Sequence, residues 1–309
     1  MRKIKKPKFL YNAFCFLLLL AIIISVPVLS KSLGKSSAQN GNGKSVLNIW
    51  QIDCFEGGRG SRADYLQTIG NTFAEKNDYY VKVVSISSVA ARENLNRGTV
   101  PDLISFGAGI YGLENYLSGQ PAFYNWCNGA YCFLTTDESA DFSDISAQNT
   151  IINAGTENLS SVAALLCGVN GADTDKPTGA YVKLLNGKYK YLLGTQRDVF
   201  RLKTRGVSFK VQAITQFNDL YQNIAIITNN PKKQQQAKNY IGFLLSQSDN
   251  VKKVGLLSSG KNLYDDEMKA LENLEFEHKL VAPVSLSARN EIISAATSGD
   301  VKKLKNLLK

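Results

Sequence analysis

Three β-rich runs separated by two helical patterns fill residues 46–106, and this alternation constrains the fold more than any other feature of the sequence. The first run, Val46-Leu47-Asn48-Ile49-Trp50-Gln51-Ile52, holds the branched and aromatic residues that suit a packed, pleated surface. A glycine-rich turn over residues 56–60 leads to Ser61, placed to cap a helix over 62–76 that carries Leu66, Ile69 and Phe73 on one face. A second strand is expected over 80–86, a helix over 89–96, and a third strand over 101–106, closed by Gly107-Ala108-Gly109. Strand, helix, strand, helix, strand implies parallel pairing through right-handed crossovers, and therefore an α/β protein. Ligands of such sheets sit beyond the carboxyl ends of the strands, here around residues 53–62 and 106–112.

Beyond Gly119 the pattern loosens. Residues 125–135 read as strand on both sides of the turn dipeptide Asn128-Gly129, and 150–153 as another strand. A short apolar helix is expected over 159–169, a helical or extended piece over 181–185, and a strand over 189–193 ending at Gly194. Strands over 207–214 and 224–228 complete the set. Pro231 then opens a long amphipathic helix with Ala237, Tyr240, Ile241, Leu244 and Leu245 as its stripe, and the last fifty residues are largely helical. The sequence shows no repeat and no second linker. Two lobes of interleaved segments are therefore expected, residues 46–120 with 207–255 in one and residues 121–206 with 256–309 in the other.

The N-terminus reads differently. Arg2, Lys3, Lys5, Lys6 and Lys8 precede an uncharged stretch over 9–30, the layout of a secretory signal. Cleavage after Ser30 and retention as a membrane anchor are both compatible with it. Residues 31–45, rich in Ser, Gly, Asn and Gln, read as a flexible tether. The formal charge of +10 falls by half once the five basic residues of the first eight are set aside. Lys232-Lys233 and Lys302-Lys303 read as solvated helix faces, and nucleic-acid binding is not expected. With no CxxC pair and a single histidine, His278, no metal or cofactor is expected. Export permits a disulfide between Cys127 and Cys132, and free buried thiols suit the same spacing.

Four segments, in order, resemble the bacterial extracellular solute-binding proteins of family 1. They are Leu47-Asn48-Ile49-Trp50 after the tether; Gly98-Thr99-Val100-Pro101-Asp102-Leu103-Ile104; Leu185-Asn186-Gly187-Lys188-Tyr189-Lys190-Tyr191 with Gly194; and Ala237-Lys238-Asn239-Tyr240-Ile241-Gly242-Phe243-Leu244, followed by Ser258-Ser259-Gly260. The resemblance implies a two-lobed, type II periplasmic-binding-protein-like fold. It also implies a small solute, most simply a carbohydrate, held between the lobes of a monomer and passed to the permease subunits of an ABC importer. The chain departs from the family by a shortened stretch between Tyr124 and Lys183 and by the lack of a lipoprotein cysteine. These departures keep open a membrane-anchored sensor or adaptor uncoupled from transport.

Candidate ligand residues follow from loop position and chemistry. Asp53, Glu56, Arg59 and Arg62 surround the glycine turn, where backbone amides at a helix start can meet a hydroxyl or an anion. Phe106 and Tyr111 flank the next strand end. From the second lobe come Trp126, for stacking, and Gln196, Arg197 and Asp198 after Gly194, whose amide, guanidinium and carboxylate suit paired bonds to hydroxyls. Tyr221 reaches in from a crossover strand. No G-x-S-x-G elbow or Walker loop occurs, and His278 lies in a charged run read as a helix face. A carboxylate pair, Asp53 with Glu56 or Asp198, is the one enzymatic arrangement left open. Binding, not catalysis, is the expected role.

Overall fold

In the computed structural model of the protein, residues 44–53, 62–108, 110, 112–113, 123–155 and 158–309 are described. The expected signal or anchor over 1–30 and nearly all of the tether lie outside them, as do Glu56, Arg59 and Tyr111. No helix among the described residues is long and apolar enough to cross a membrane.

The alternation over 46–106 takes the expected form as β1 (Ser45–Asp53), α1 (Arg62–Ala74), β2 (Tyr79–Ser87), α2 (Ser88–Asn96) and β3 (Leu103–Gly107). β1 and β3 run parallel, with Ile49 opposite Leu103. α1 buries Tyr65, Leu66, Ile69 and Phe73, residues at helical spacing that face the sheet. Every residue of β3 is buried, as befits a strand covered on both faces. The Pro101-Asp102 entry to β3 has a structural cause: Asp102 Oδ2 accepts from Asn48 N and from Lys233 Nζ, each at 2.8 Å. One carboxylate thus ties the start of β3 to β1 and to the helix beyond.

The first sheet has the order β2-β1-β3-β11-β4, with β4 (Tyr124–Asn128) at its edge and β11 (Tyr221–Ile226) antiparallel between β3 and β4. One face packs Leu47, Ile49, Ile224 and Trp126 under α1 and the long helix α6 (Pro231–Ser246), and the other packs Trp50, Ile52, Ile104 and Phe106. The second sheet repeats the plan. Its order is β7 (Asp173–Asp175), β6 (Thr150–Asn153), β8 (Tyr191–Thr195), β5 (Tyr131–Thr135) and β9 (Lys210–Ala213). β6 is parallel to β7 and β8, and β5 is antiparallel to both neighbours. The helix α3 (Ser160–Leu166) packs on one face, and α4 (Pro177–Leu185) and α5 (Gln196–Thr204) on the other. The C-terminal helices α7 (Leu286–Thr297) and α8 (Val301–Leu307) pack on each other, and α7 docks on α3.

Sheet membership departs from the sequence reading at β4 and β9. Residues 125–135 do not form a hairpin: β4 belongs to the first sheet and β5 to the second, so Asn128-Gly129 is a passage between sheets. Consequently β4 lies with the first sheet and β9 with the second, whereas the expected bounds put residues 121–206 and 207–255 the other way at those points. The stretch read as a loop after Gly194 is the end of β8 and the first turn of α5, joined without any linker. Cys127 and Cys132 are buried thiols in the cores of different sheets and form no disulfide, which settles that alternative.

The chain passes between the sheets in three adjacent strands. Gly129 N donates to Leu220 O at 2.6 Å, Asn128 and Leu257 exchange backbone bonds at 2.9 and 3.0 Å, and Asn218 Nδ2 donates to Gly129 O at 3.0 Å. Short β10 (Phe217–Asn218) pairs with β12 (His278–Lys279) alongside them. His278 therefore sits in a two-residue strand, not on a helix face. A Cβ on Gly129 would lie 2.6 Å from Gln196 Oε1 and 2.9 Å from Leu220 Cβ. Gly129→Ala is expected to cost about 1–3 kcal/mol through this crowding, read as a lower urea midpoint at unchanged slope.

Candidate functional site

The strand ends where such sheets hold ligands are those of β1 and β3 in the first lobe and of β6 and β8 in the second. On the second lobe, Asn153 closes β6 and is 3% exposed. Its Nδ2 donates to Asp198 Oδ2 at 2.7 Å, while its Oδ1 is buried with no partner. Five residues on, neither amide atom of Asn158 has a partner, though both are buried. Leu159 N then donates to Asp219 Oδ2 at 2.7 Å, and Tyr131 OH to Asp219 Oδ1 at 2.7 Å. Asp219 thus joins two of the passages between sheets to the loop that enters α3.

Burial sets the chemistry of this group. It lifts the Asp219 carboxyl from its ordinary 3.8 to about 6, against the hydrogen bonds from Tyr131 and Leu159 that favour the carboxylate. Burial first, and Asp219 second, push the Tyr131 hydroxyl well above the usual phenol range. The arrangement is a hydrogen-bonded floor, with the Asn153 amide oxygen and the whole Asn158 amide left uncommitted. Among the described residues no group of His, Cys, Asp and Glu is placed to hold a metal ion.

Several residues nominated from sequence have other commitments. Phe106 is fully buried against Phe123, with ring centroids 5.9 Å apart, in the core of the first lobe. Trp126, 3% exposed, stacks on Tyr65 at 5.5 Å and donates its indole N–H to Ser105 Oγ at 3.0 Å. Both rings fill the first lobe's core because their strand positions point inward. Gln196 is buried under the passage and accepts from Ala130 N at 3.1 Å. The Arg197 guanidinium donates to the Val254 carbonyl and lies over the Phe200 ring. Asp198, fully buried, accepts from Asn153, from Thr195 N at 3.0 Å and from Arg201 Nη1 at 2.9 Å. Thr195 and Asp198 form a capping box on α5. The signature Thr-x-x-Asp at 195–198 was present in the sequence and explains why these polar residues turn inward.

Asp53 ends β1 at the expected strand end, and Arg62 begins α1 as a buried residue. Tyr221 is half-buried and, with Asn218, lines a cavity between the passages. Sequence reasoning did not nominate Tyr131, Asn153, Asn158 or Asp219. Asn158-Leu159-Ser160 before an apolar run was the available signal for a helix entry at a strand end.

No family model matches the chain, and no curated protein matches it significantly. Solved structures do. Iron-bound HitA from Pseudomonas aeruginosa superposes with a TM-score of 0.53 at 14% identity, over 84% of this chain and 99% of that one. The substrate-binding domain of a putative molybdenum ABC transporter from Clostridium difficile gives 0.51 at 10% identity, over 70% and 100%. A two-component system protein that mediates signal transduction gives 0.52 at 14%, over 74% and 93%. The fold is thus the two-lobed α/β architecture of periplasmic-binding-protein-like proteins. At these identities the likeness is one of fold, and the sugar-type family that the four sequence segments resemble has no matching family model behind it.

Proposed function

We propose that this chain is an extracytoplasmic solute-binding protein that closes its two lobes on a small solute and presents it to the permease of an ABC importer. The observation that carries the reading is the buried Oδ1 of Asn153 and the two buried amide atoms of Asn158 at the strand-end edge of the second lobe, none of which has a partner. A buried polar atom without a partner costs about 1–3 kcal/mol, which a ligand bond recovers. Amides recognise uncharged donors and acceptors. This favours a hydroxylated solute, in line with the carbohydrate implied by the family resemblance, and we keep Asp53, Glu56, Arg59 and Arg62 as its candidate partners from the first lobe. The basic-then-apolar N-terminus supports a place outside the cytoplasmic membrane, secreted or anchored.

A second reading has its own support. A two-component system protein shares the fold to a similar degree, and a retained N-terminal segment would suit a sensor.

The test is a binding screen of the full chain against sugars, amino acids, oxyanions and metal ions. One class is expected to raise the thermal midpoint. Asn153→Ala and Asn158→Ala are each expected to weaken that ligand by about tenfold. Unchanged affinity in both variants would discard the site, and co-purification with a histidine kinase in place of permease subunits would favour the sensor.

A further inference from the structure

Behind the passages lies a cavity of about 160 Å³. Asn128, Asn218 with Tyr221, and Ser258 line it, so all three connecting strands contribute a wall. The third strand does connect the lobes: Ser248–Val254 packs on β4 and α1, and Glu267–Leu271 on α5 and β9. The cavity is distinct from the strand-end floor. Asp219 bonds Tyr131 and Leu159, whereas its neighbour Asn218 lines the cavity, as alternating residues of an extended strand must.

Two buried polar atoms on its lining residues have no partner, Asn128 Oδ1 and Ser258 Oγ, and Ser258 is only 6% exposed. Among the described residues no charged side chain lines the cavity, and Leu257 and Phe276 supply apolar wall. We infer that this cavity is a second binding site, for a small uncharged molecule with adjacent hydroxyl groups, a short polyol. An ion would sit there without a counter-charge from the described lining residues and would lose part of its hydration. An apolar molecule would leave the amide oxygen and the hydroxyl unsatisfied. A vicinal diol donates one hydroxyl to Asn128 Oδ1, exchanges a bond with Ser258 Oγ through the other, and lays its C–H edges on Leu257 and Phe276. The volume has room for several waters, and so for a chain of a few carbons. Because the walls belong to the connecting strands, occupancy of the cavity and closure of the lobes are linked, and the linkage is reciprocal.

The experiment is saturation-transfer NMR on the full chain in mild detergent with glycerol, erythritol and xylitol. At least one polyol is expected to bind in the millimolar range. Asn128→Ala and Ser258→Ala should each weaken it by about tenfold, and Asn153→Ala should leave it unchanged. Should Ser258→Ala fail to fold, Ser258→Cys keeps the volume while weakening the hydrogen bond, with the same loss expected. No transfer to any of the three polyols would mean that the cavity holds water alone and would overturn the inference. Loss of binding in Asn153→Ala with none in the cavity variants would overturn it too, by placing the polyol in the interlobe site. The interlobe reading stands or falls separately, on the solute screen and its own variants.

Discussion

Asp219→Asn is expected to make the protein more stable by up to about 3 kcal/mol near neutral pH and to leave it nearly unchanged near pH 4. The Asp219 carboxyl has its pKa raised by burial from 3.8 to about 6, so the folded state holds a proton more tightly than the unfolded chain does. The stability this contributes is fully present below 3.8 and is lost as pH rises through 6. A shift of roughly two units corresponds to about 3 kcal/mol. Asparagine accepts from Leu159 N through its oxygen and donates to the Tyr131 hydroxyl oxygen through its amide, so both contacts survive without an ionisation. Asp137, Asp141 and Asp144 have lowered pKa values, chiefly from hydrogen bonds, and act in the opposite sense at lower pH. They are common to both proteins and cancel in the difference. Urea unfolding of both proteins across this range is the measurement, and parallel profiles would refute the assignment.

Asp198→Ala is expected to act in the other direction, costing about 3 kcal/mol. The carboxylate is fully buried, and the change strips the acceptor from Asn153 Nδ2, Thr195 N and Arg201 at once. Thr195→Ala, which removes only the reciprocal half of the capping box, should cost about 1 kcal/mol. A three-to-one ratio of these losses in chemical denaturation would identify Asp198 as the bracket that holds Asn153 at the edge of β6. If Asp198 instead met the solute directly, the alanine variant would keep its stability and lose affinity alone.

These two residues show where the sequence was readable. The alternation over 46–106 was legible because the apolar period switches between two and 3.6 within a few residues, a local signal that tertiary contacts reinforce. Asn128-Gly129 was misread because a hairpin turn and a passage between sheets use the same dipeptide between apolar strands. Only the free edges of β11 and β8, far along the chain, decide which partner each strand takes. Gln196, Arg197 and Asp198 were read as an exposed polar loop because charged residues are usually exposed. Their burial depends on acceptors and donors from residues 130, 153 and 254, which no local pattern announces. Asp219 gave no signal of its own, since its significance comes from Tyr131 and Leu159 meeting it in space.

The position of β11 inside the first sheet governs how the chain can assemble as it is made. Strands β5 to β9 of the second sheet emerge as one uninterrupted stretch, residues 131–213, and can pair as soon as they are complete. The first sheet cannot. β4 finds its strand partner only in β11, so the earliest part of the body waits for residues 221–226 before its own ladder closes. The second sheet is therefore the one able to pair first, although one of its cores still waits for α7 and α8, and β3 keeps an open edge until β11 is made.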